Sequence, residues 1–353
     1  MAFLESIKSW FVGKSQHFTH LTVDAARTDR APGEAIVAGK GYFRLWLSQM
    51  FLEYRHVLFQ NYSPVVHSVV RFQFGSPQGG SPTVEIPHIA GPLKLDIKKD
   101  ALKNIIQRNY ALTPLMPYHG GLMEVASGLS AIAEQENAGE VLQVMQEFSG
   151  MLAVPQLSAV LGIAPPLVKG VQAVANMGKE GLQLGLHDTF GAQSRITPGY
   201  FVVIASPESK VRKDELWVFN DELRIGRSKA STKPFVDASY MLFKIESMTE
   251  RDDWKFLTSI HEPRKKAMDM FPNDPAQAEA TYKTAVVAAW MSPELVDVDR
   301  KRVAKALREE FDAFKNDVGL GLTKEAPSLS DMVAAVSRAD VAAHPPSLEE
   351  LLR

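Results

Sequence analysis

The sequence predicts an α+β fold: a β-rich, sandwich-like body carrying a helical insertion at about 134–178, followed by a C-terminal helical region. Three observations predict it. The run from Val65 to Phe74 is dense in β-branched and aromatic residues and stops at Gly75, the composition of a buried strand. Two short apolar arms flank Asn220-Asp221, and those two residues tolerate the positive φ that a tight hairpin turn needs. Beyond residue 261 the signals become helical, led by Asp274-Pro275. There Asp can cap free backbone N–H groups, and Pro is favoured in the first turn.

The elements follow in order. Residues 1–13 place Phe3, Leu4, Ile7, Trp10 and Phe11 at helical spacing before Gly13, which predicts an amphipathic N-terminal helix. The β-rich body is expected over 14–260. Within it, His17–Asp24 alternates, and Ile36–Arg44 reads as a strand entered from a Pro-Gly turn. Tyr42–Phe59 fits either a helix face or a dense strand pair. Thr83–Ile86 and Leu93–Ile97 are short strands between breakers, and Lys98–Arg108 reads as a helix with Leu102, Ile105 and Ile106 on one face. Leu122–Ala133 alternates as a strand, and Glu136–Gly150 carries a helical apolar face. Strand patterns return at Gly181–Thr189, Tyr200–Ala205, Leu216–Gly226 and Tyr240–Ser247. Helices are expected over 261–320: Pro263–Met270, a helix from Asp274 to about Trp290, and Asp299–Lys315. Residues 321–353 turn rich in Ala, Ser, Pro and Asp and are expected to form a flexible tail.

Composition excludes several chemistries. With no cysteine in the chain, disulfides, thiolate nucleophiles and zinc-thiolate sites are ruled out. Lys+Arg is 39 and Asp+Glu is 41, a net charge of -2, so the basic face that neutralises phosphates is not expected, nor is nucleic acid as a partner. Glu5 and Lys8 interrupt any secretory core in the first residues, so a cytoplasmic location is expected.

No motif specifies a reaction. Gly33 to Gly41 brings a phosphate loop to mind, but five residues separate Gly33 from Gly39, and Gly41 stands where the magnesium-binding hydroxyl belongs. His17 and His20 point to opposite faces of an extended segment and make a poor metal pair. His119 precedes Gly120-Gly121 and reads as a turn. His187-Asp188 could orient a general base only with a serine opposite. Glu250–Lys255 is a mixed charge cluster, read as a solvated helix start with Trp254 turned inward. Leu223-Arg224-Ile225-Gly226-Arg227-Ser228 resembles the opening of forkhead-associated phosphopeptide-binding domains over six residues. The Ser-x-x-His element expected about twenty residues on is absent, so the segment reads as a hairpin strand. No catalytic residue, cofactor or metal is expected.

Two segments carry the functional expectations. Met151–Met177 holds a single charge, Lys169. Its length would suit a bilayer, but Pro155, Pro165 and Pro166 divide it, and proline breaks the helical ladder. Two short buried helices are expected, with Leu157, Val160, Leu161, Ile163, Leu167 and Val168 as the membrane-contacting residues if the block is ever released. In the tail, Pro327–Val333 and Pro346–Leu352 share one plan: Pro, Ser, Leu, a polar residue, an acid and two apolar residues. A serine cap, an early acid and an apolar face make each a short docking helix. Leu329, Met332, Val333, Leu348, Leu351 and Leu352 are the expected partner-binding residues.

The expected function is that of a non-enzymatic interaction or scaffold protein, with a protein partner or a homo-oligomer, docking through its tail. The alternative is a membrane-acting effector held by its own packing, whose membrane contact is conditional. A hydrolase without a visible motif is the third reading.

Overall fold

The computed structural model describes residues 18–29, 33–53, 56–57, 60–74, 83–91, 107–133, 143, 157, 182–191 and 195–322. The strands are β1 (Thr19–Thr22), β2 (Ile36–Val37), β3 (Tyr42–Phe51), β4 (His56–Val57), β5 (Gln60–Gln73), β6 (Thr83–Ala90), β7 (Gln107–Ala111) and β8 (Met116–Pro117). They continue as β9 (Met123–Ala133), β10 (Leu182–Phe190), β11 (Arg195–Ile196), β12 (Gly199–Ile204), β13 (Leu216–Phe219), β14 (Glu222–Ile225), β15 (Lys233–Pro234) and β16 (Tyr240–Met248). Three α-helices follow: α1 (Thr258–Met270), α2 (Pro275–Met291) and α3 (Asp297–Leu322).

Two antiparallel sheets form the body. The first runs β1-β12-β16-β3-β7, with β8 also on β3; the second runs β10-β9-β5-β4, with β6 also on β5. Strand alternation explains how the first sheet can bury both faces. Met241, Phe243 and Ile245 of β16 enter the main core between the sheets, where they meet Val66, Val70, Val125 and Leu129. Tyr240 and Leu242 turn outward into a second core under the β13-β14-β15 hairpin layer. The result is the sandwich-like, β-rich α+β fold that the sequence predicts.

The second sheet is also buried on both faces. Val65, His67 and Val69 are inaccessible, as are Val66, Ser68 and Val70 on its inner face. His67 and His88 pay most for this in protonation: burial pushes each down to about 3, from an ordinary value of 6.5. A base with a depressed folded pKa favours the native state while neutral. Stability should therefore be complete above about pH 6.5 and decline as pH falls toward 3, because the unfolded chain takes up protons that the native chain refuses. Denaturant midpoints across that range check it, and the acid-side loss should shrink in a His67→Gln variant.

Several elements differ from expectation for local reasons. Ile36 and Arg44 lie on separate strands, because Gly39 at φ +74 turns the chain between β2 and β3. Tyr42–Phe51 is a strand, its ambiguity resolved by pairing on both sides with β16 and β7. β6 continues through Pro87 to Ala90, as a proline can where it occupies an edge. Gln107 and Arg108, expected to close a helix, begin β7 and pair with Met50 and Gln49; Lys98 to Ile106 and Leu93–Ile97 lie outside the described residues. The hairpin turn is as predicted, with Asn220 at φ 52 and Asp221 at φ 60. Gly191 is also fixed by its backbone: φ is +93, and a Cβ there would stand 2.5 Å from the Gly121 carbonyl oxygen. Gly191→Ala should cost about 2 kcal/mol or more, read as a lowered Tm.

The helices pack as a small bundle. Trp254, Leu257, Ile260, Tyr282, Leu307 and Phe311 share one core, and Tyr282 stacks on Phe311 at 4.2 Å between ring centres. Asp274 caps α2 by accepting from the Gln277 N–H at 3.0 Å. The short connection after Met291 makes α2 and α3 antiparallel neighbours.

Candidate interaction site

The bundle meets the sandwich through buried charge. Arg251 follows β16 and is fully buried. Its Nη1 donates to Glu294 Oε2 at 3.1 Å, and its Nε donates to Asp253 at 2.7 Å. Asp299, at the start of α3, accepts from the Tyr42 hydroxyl at 2.6 Å and from the Arg251 N–H at 3.0 Å. Arg302 closes the ring by donating to the Arg251 carbonyl at 2.9 Å and to Asp299. Burial and the neighbouring Asp299 carboxylate push the Tyr42 phenol well above its ordinary value. Each buried charge is thus matched to a partner from a different element, which fixes the bundle on the β3 side of the body. His119 adds to the seam, its Nε2 lying 3.0 Å from the Pro293 carbonyl. Gly120 and Gly121, at φ 108 and 82, make the turn beside it.

Glu294 has a further partner: the Leu157 N–H donates to Oε2 at 3.2 Å. Leu157 is helical and lies fully buried in the main core. It is the residue of the apolar block whose place is described. Val160, Leu161, Ile163, Leu167 and Val168 lie outside the described residues, as do the tail residues Leu329, Met332, Val333, Leu348, Leu351 and Leu352.

A second polar centre sits on the outer face of the first sheet. Asp221 accepts from the Tyr200 hydroxyl at 2.6 Å, from Lys244 Nζ at 3.1 Å and from Asn109 Nδ2 at 3.2 Å. Trp46 donates to Glu246 at 2.9 Å, and both Arg44 and Lys244 lie over its ring. A cleft of about 420 Å³ opens beside Tyr200, Lys244 and Glu246, and one of about 640 Å³ lies past Ser247, lined by Glu34, Lys40, Glu250 and Asp252. Asp221, Tyr200, Lys244 and Asn109 are engaged with one another, as are Trp46 and Glu246, whereas the buried Arg44 Nε makes no hydrogen bond among the described residues. The clearest role of this centre is to hold the hairpin layer on the sheet.

The histidine readings resolve as structural contacts. His187 lies 3.7 Å from Glu124, and Asp188 lies 3.2 Å from His20 on β1, joining the two sheets at their rim. Burial lowers the His20 pKa against the raising effect of Asp188. The residues opposite His187 and Asp188 are Ala126 and Val125, so no serine faces them across the strand. Arg224 of the Leu223–Ser228 segment is held by Glu222 and by Thr232. Among the described residues, no three His, Asp or Glu side chains gather as a metal site, and no helix is long and apolar enough to cross a membrane.

The feature that sequence reading missed is on α2. Ala278, Tyr282, Ala285 and Ala289 are buried in the bundle. On the opposite side Val287, Trp290 and Met291 are 60%, 43% and 46% exposed, and Val298 at the start of α3 is 50% exposed. Val287, Trp290 and Met291 stand at i, i+3 and i+4, so they form one stripe. The signal was present in the sequence: from Ala285 to Met291 the helix has no polar residue, although a bundle of three helices buries only one face.

No family model matches the sequence, and neither a curated protein nor a solved structure is similar to it.

Proposed function

We propose that this chain is a non-enzymatic interaction protein: a scaffold whose body holds the three-helix bundle rigidly, and whose contacts are made by the tail motifs and by α2. The observation that carries the reading is the exposed stripe of Val287, Trp290 and Met291. Large apolar side chains grouped at helical spacing are the usual receiving face for an amphipathic helix. Tryptophan is the residue most enriched where such contacts bind tightly. The charge network at Arg251, Glu294 and Asp299 supports the same reading, because a receiving face must be held still. The first tail motif, Pro327–Val333, has the sequence pattern expected of a complementary helix: a serine, an early acid and the apolar residues Leu329, Met332 and Val333.

The test is quantitative affinity capture from the native cell, comparing the full chain with a Trp290→Glu/Met291→Glu variant and a Leu329→Asp/Met332→Asp variant. Each should lose a defined partner by about tenfold or more at unchanged Tm. An unchanged partner set for both variants would overturn the proposal.

A second reading is favoured by one contact. Glu294 joins the bundle, Arg251 of the body and Leu157 of the apolar block, so loosening the bundle would also loosen the block. This supports a membrane-acting effector held in check by its C-terminal helices. Flotation with phosphatidylcholine–phosphatidylserine vesicles tests it: Glu294→Gln should float while the parent chain stays below, and no flotation of either would sink the idea.

A further inference from the structure

We infer that the α2 stripe is occupied by this chain's own second tail motif, Ser347–Leu352, so that a partner must displace it. The inference rests on the reading of α2 as a receiving face. Three features carry it: matching apolar spacing, complementary charge and reach.

Leu348, Leu351 and Leu352 stand at i, i+3 and i+4, as do Val287, Trp290 and Met291. Two such faces can interdigitate along about one and a half turns. Glu349 and Glu350 flank the leucines. Lys283, one turn before Val287, is 73% exposed, and its present partner Glu279 is also at the surface. Lys283 can therefore re-pair with the motif at little cost.

Reach selects the second motif over the first. α3 continues to Leu322, and at 1.5 Å per residue Leu322 stands about 36 Å along the axis from Val298. α2 returns antiparallel, so Val287 is about 30 Å from Leu322 and Trp290 about 36 Å. Leu329, Met332 and Val333 are seven to eleven residues past Leu322; with Ser328–Val333 coiled as the docking helix, the far end of the motif reaches about 28 Å at most. The first motif therefore falls short of the stripe. Leu348 is twenty-six residues past Leu322 and can span about 85 Å, ample for the return. On this geometry the second motif anchors the tail to its own bundle, and the first is left to meet a partner.

Hydroxyl-radical footprinting of the full chain tests this, because Trp290 and Met291 both oxidise readily when accessible. Exposed Phe256, at 67%, serves as the internal reference. A Leu348→Asp/Leu351→Asp variant should oxidise at Trp290 and Met291 about threefold faster than the parent chain, since losing a covering helix restores solvent to both side chains. A Leu329→Asp/Met332→Asp variant should match the parent. Equal oxidation in all three chains would overturn the inference, as would a rise in the first-motif variant alone. Protection that fades on dilution would assign the occupant to a second copy and overturn docking within one chain. Partner capture separates this from the function proposed above. If the chain's own motif covers the stripe, the second-motif variant captures more partner than the parent. If footprinting fails while the Trp290→Glu/Met291→Glu variant still loses its partner, only the self-docking falls.

Discussion

Replacing Glu294 with alanine is expected to lower the unfolding free energy by about 3–5 kcal/mol, among the largest effects of any single change in this chain. The size follows from what is left behind. Arg251 is fully buried, and its guanidinium faces Glu294 at 3.1 Å. Without that carboxylate a buried positive charge loses its counter-ion from the bundle, and the Leu157 N–H loses its acceptor as well. Truncating one partner of a buried pair costs the desolvation of the other, whereas replacing both with apolar groups can be nearly neutral. The double variant Arg251→Met/Glu294→Leu should therefore lose much less than the sum of the single variants. Urea unfolding of the four chains measures the coupling directly. Additive losses would show that the pair does not hold the bundle to the sandwich.

Asp221→Ala is the second large effect, expected at about 3 kcal/mol. The aspartate does two jobs. Its carboxylate holds Lys244, Tyr200 and Asn109 on the outer face of the first sheet. Its backbone sits at φ 60 in the β13–β14 turn, where alanine is strained and asparagine is tolerated. Asp221→Asn should keep the turn and lose only the ionic part, and so cost about half as much. Equal losses for the two variants would place the whole effect in the buried charge. A loss for alanine under about 1 kcal/mol would show that Lys244 and Tyr200 find other partners.

The strands were legible wherever local chemistry and tertiary context agreed. Val65–Phe74, the Asn220-Asp221 hairpin and the Asp274 cap each carry their instruction within a few residues. Tyr42–Phe51 was not decidable locally, because a strand buried on both faces loses its alternation and looks like a helix face. Gln107 and Arg108 became strand because β3 offered a free edge, a fact set by residues far away in sequence. The polar centres were harder still. Arg251 sits in Glu250–Lys255, which reads as a solvated cluster, and nothing nearby announces that Glu294 and Asp299 fold back to meet it. Sequence separations of 43 and 48 residues lie beyond any periodicity. The α2 stripe was readable in principle, since Ala285–Met291 is apolar all round, but recognising it requires knowing which side the bundle takes.

Val287, Trp290 and Met291 form a face suited to receive another helix. The most direct measurement places a photo-reactive benzoylphenylalanine at position 290 in the full chain, irradiates it in the native cell and maps the cross-links. Cross-links are expected to residues 346–352 of the same chain, and to one defined protein once the second motif carries Leu348→Asp/Leu351→Asp. A label at position 290 that joins neither the tail nor any protein would contradict that role for the face.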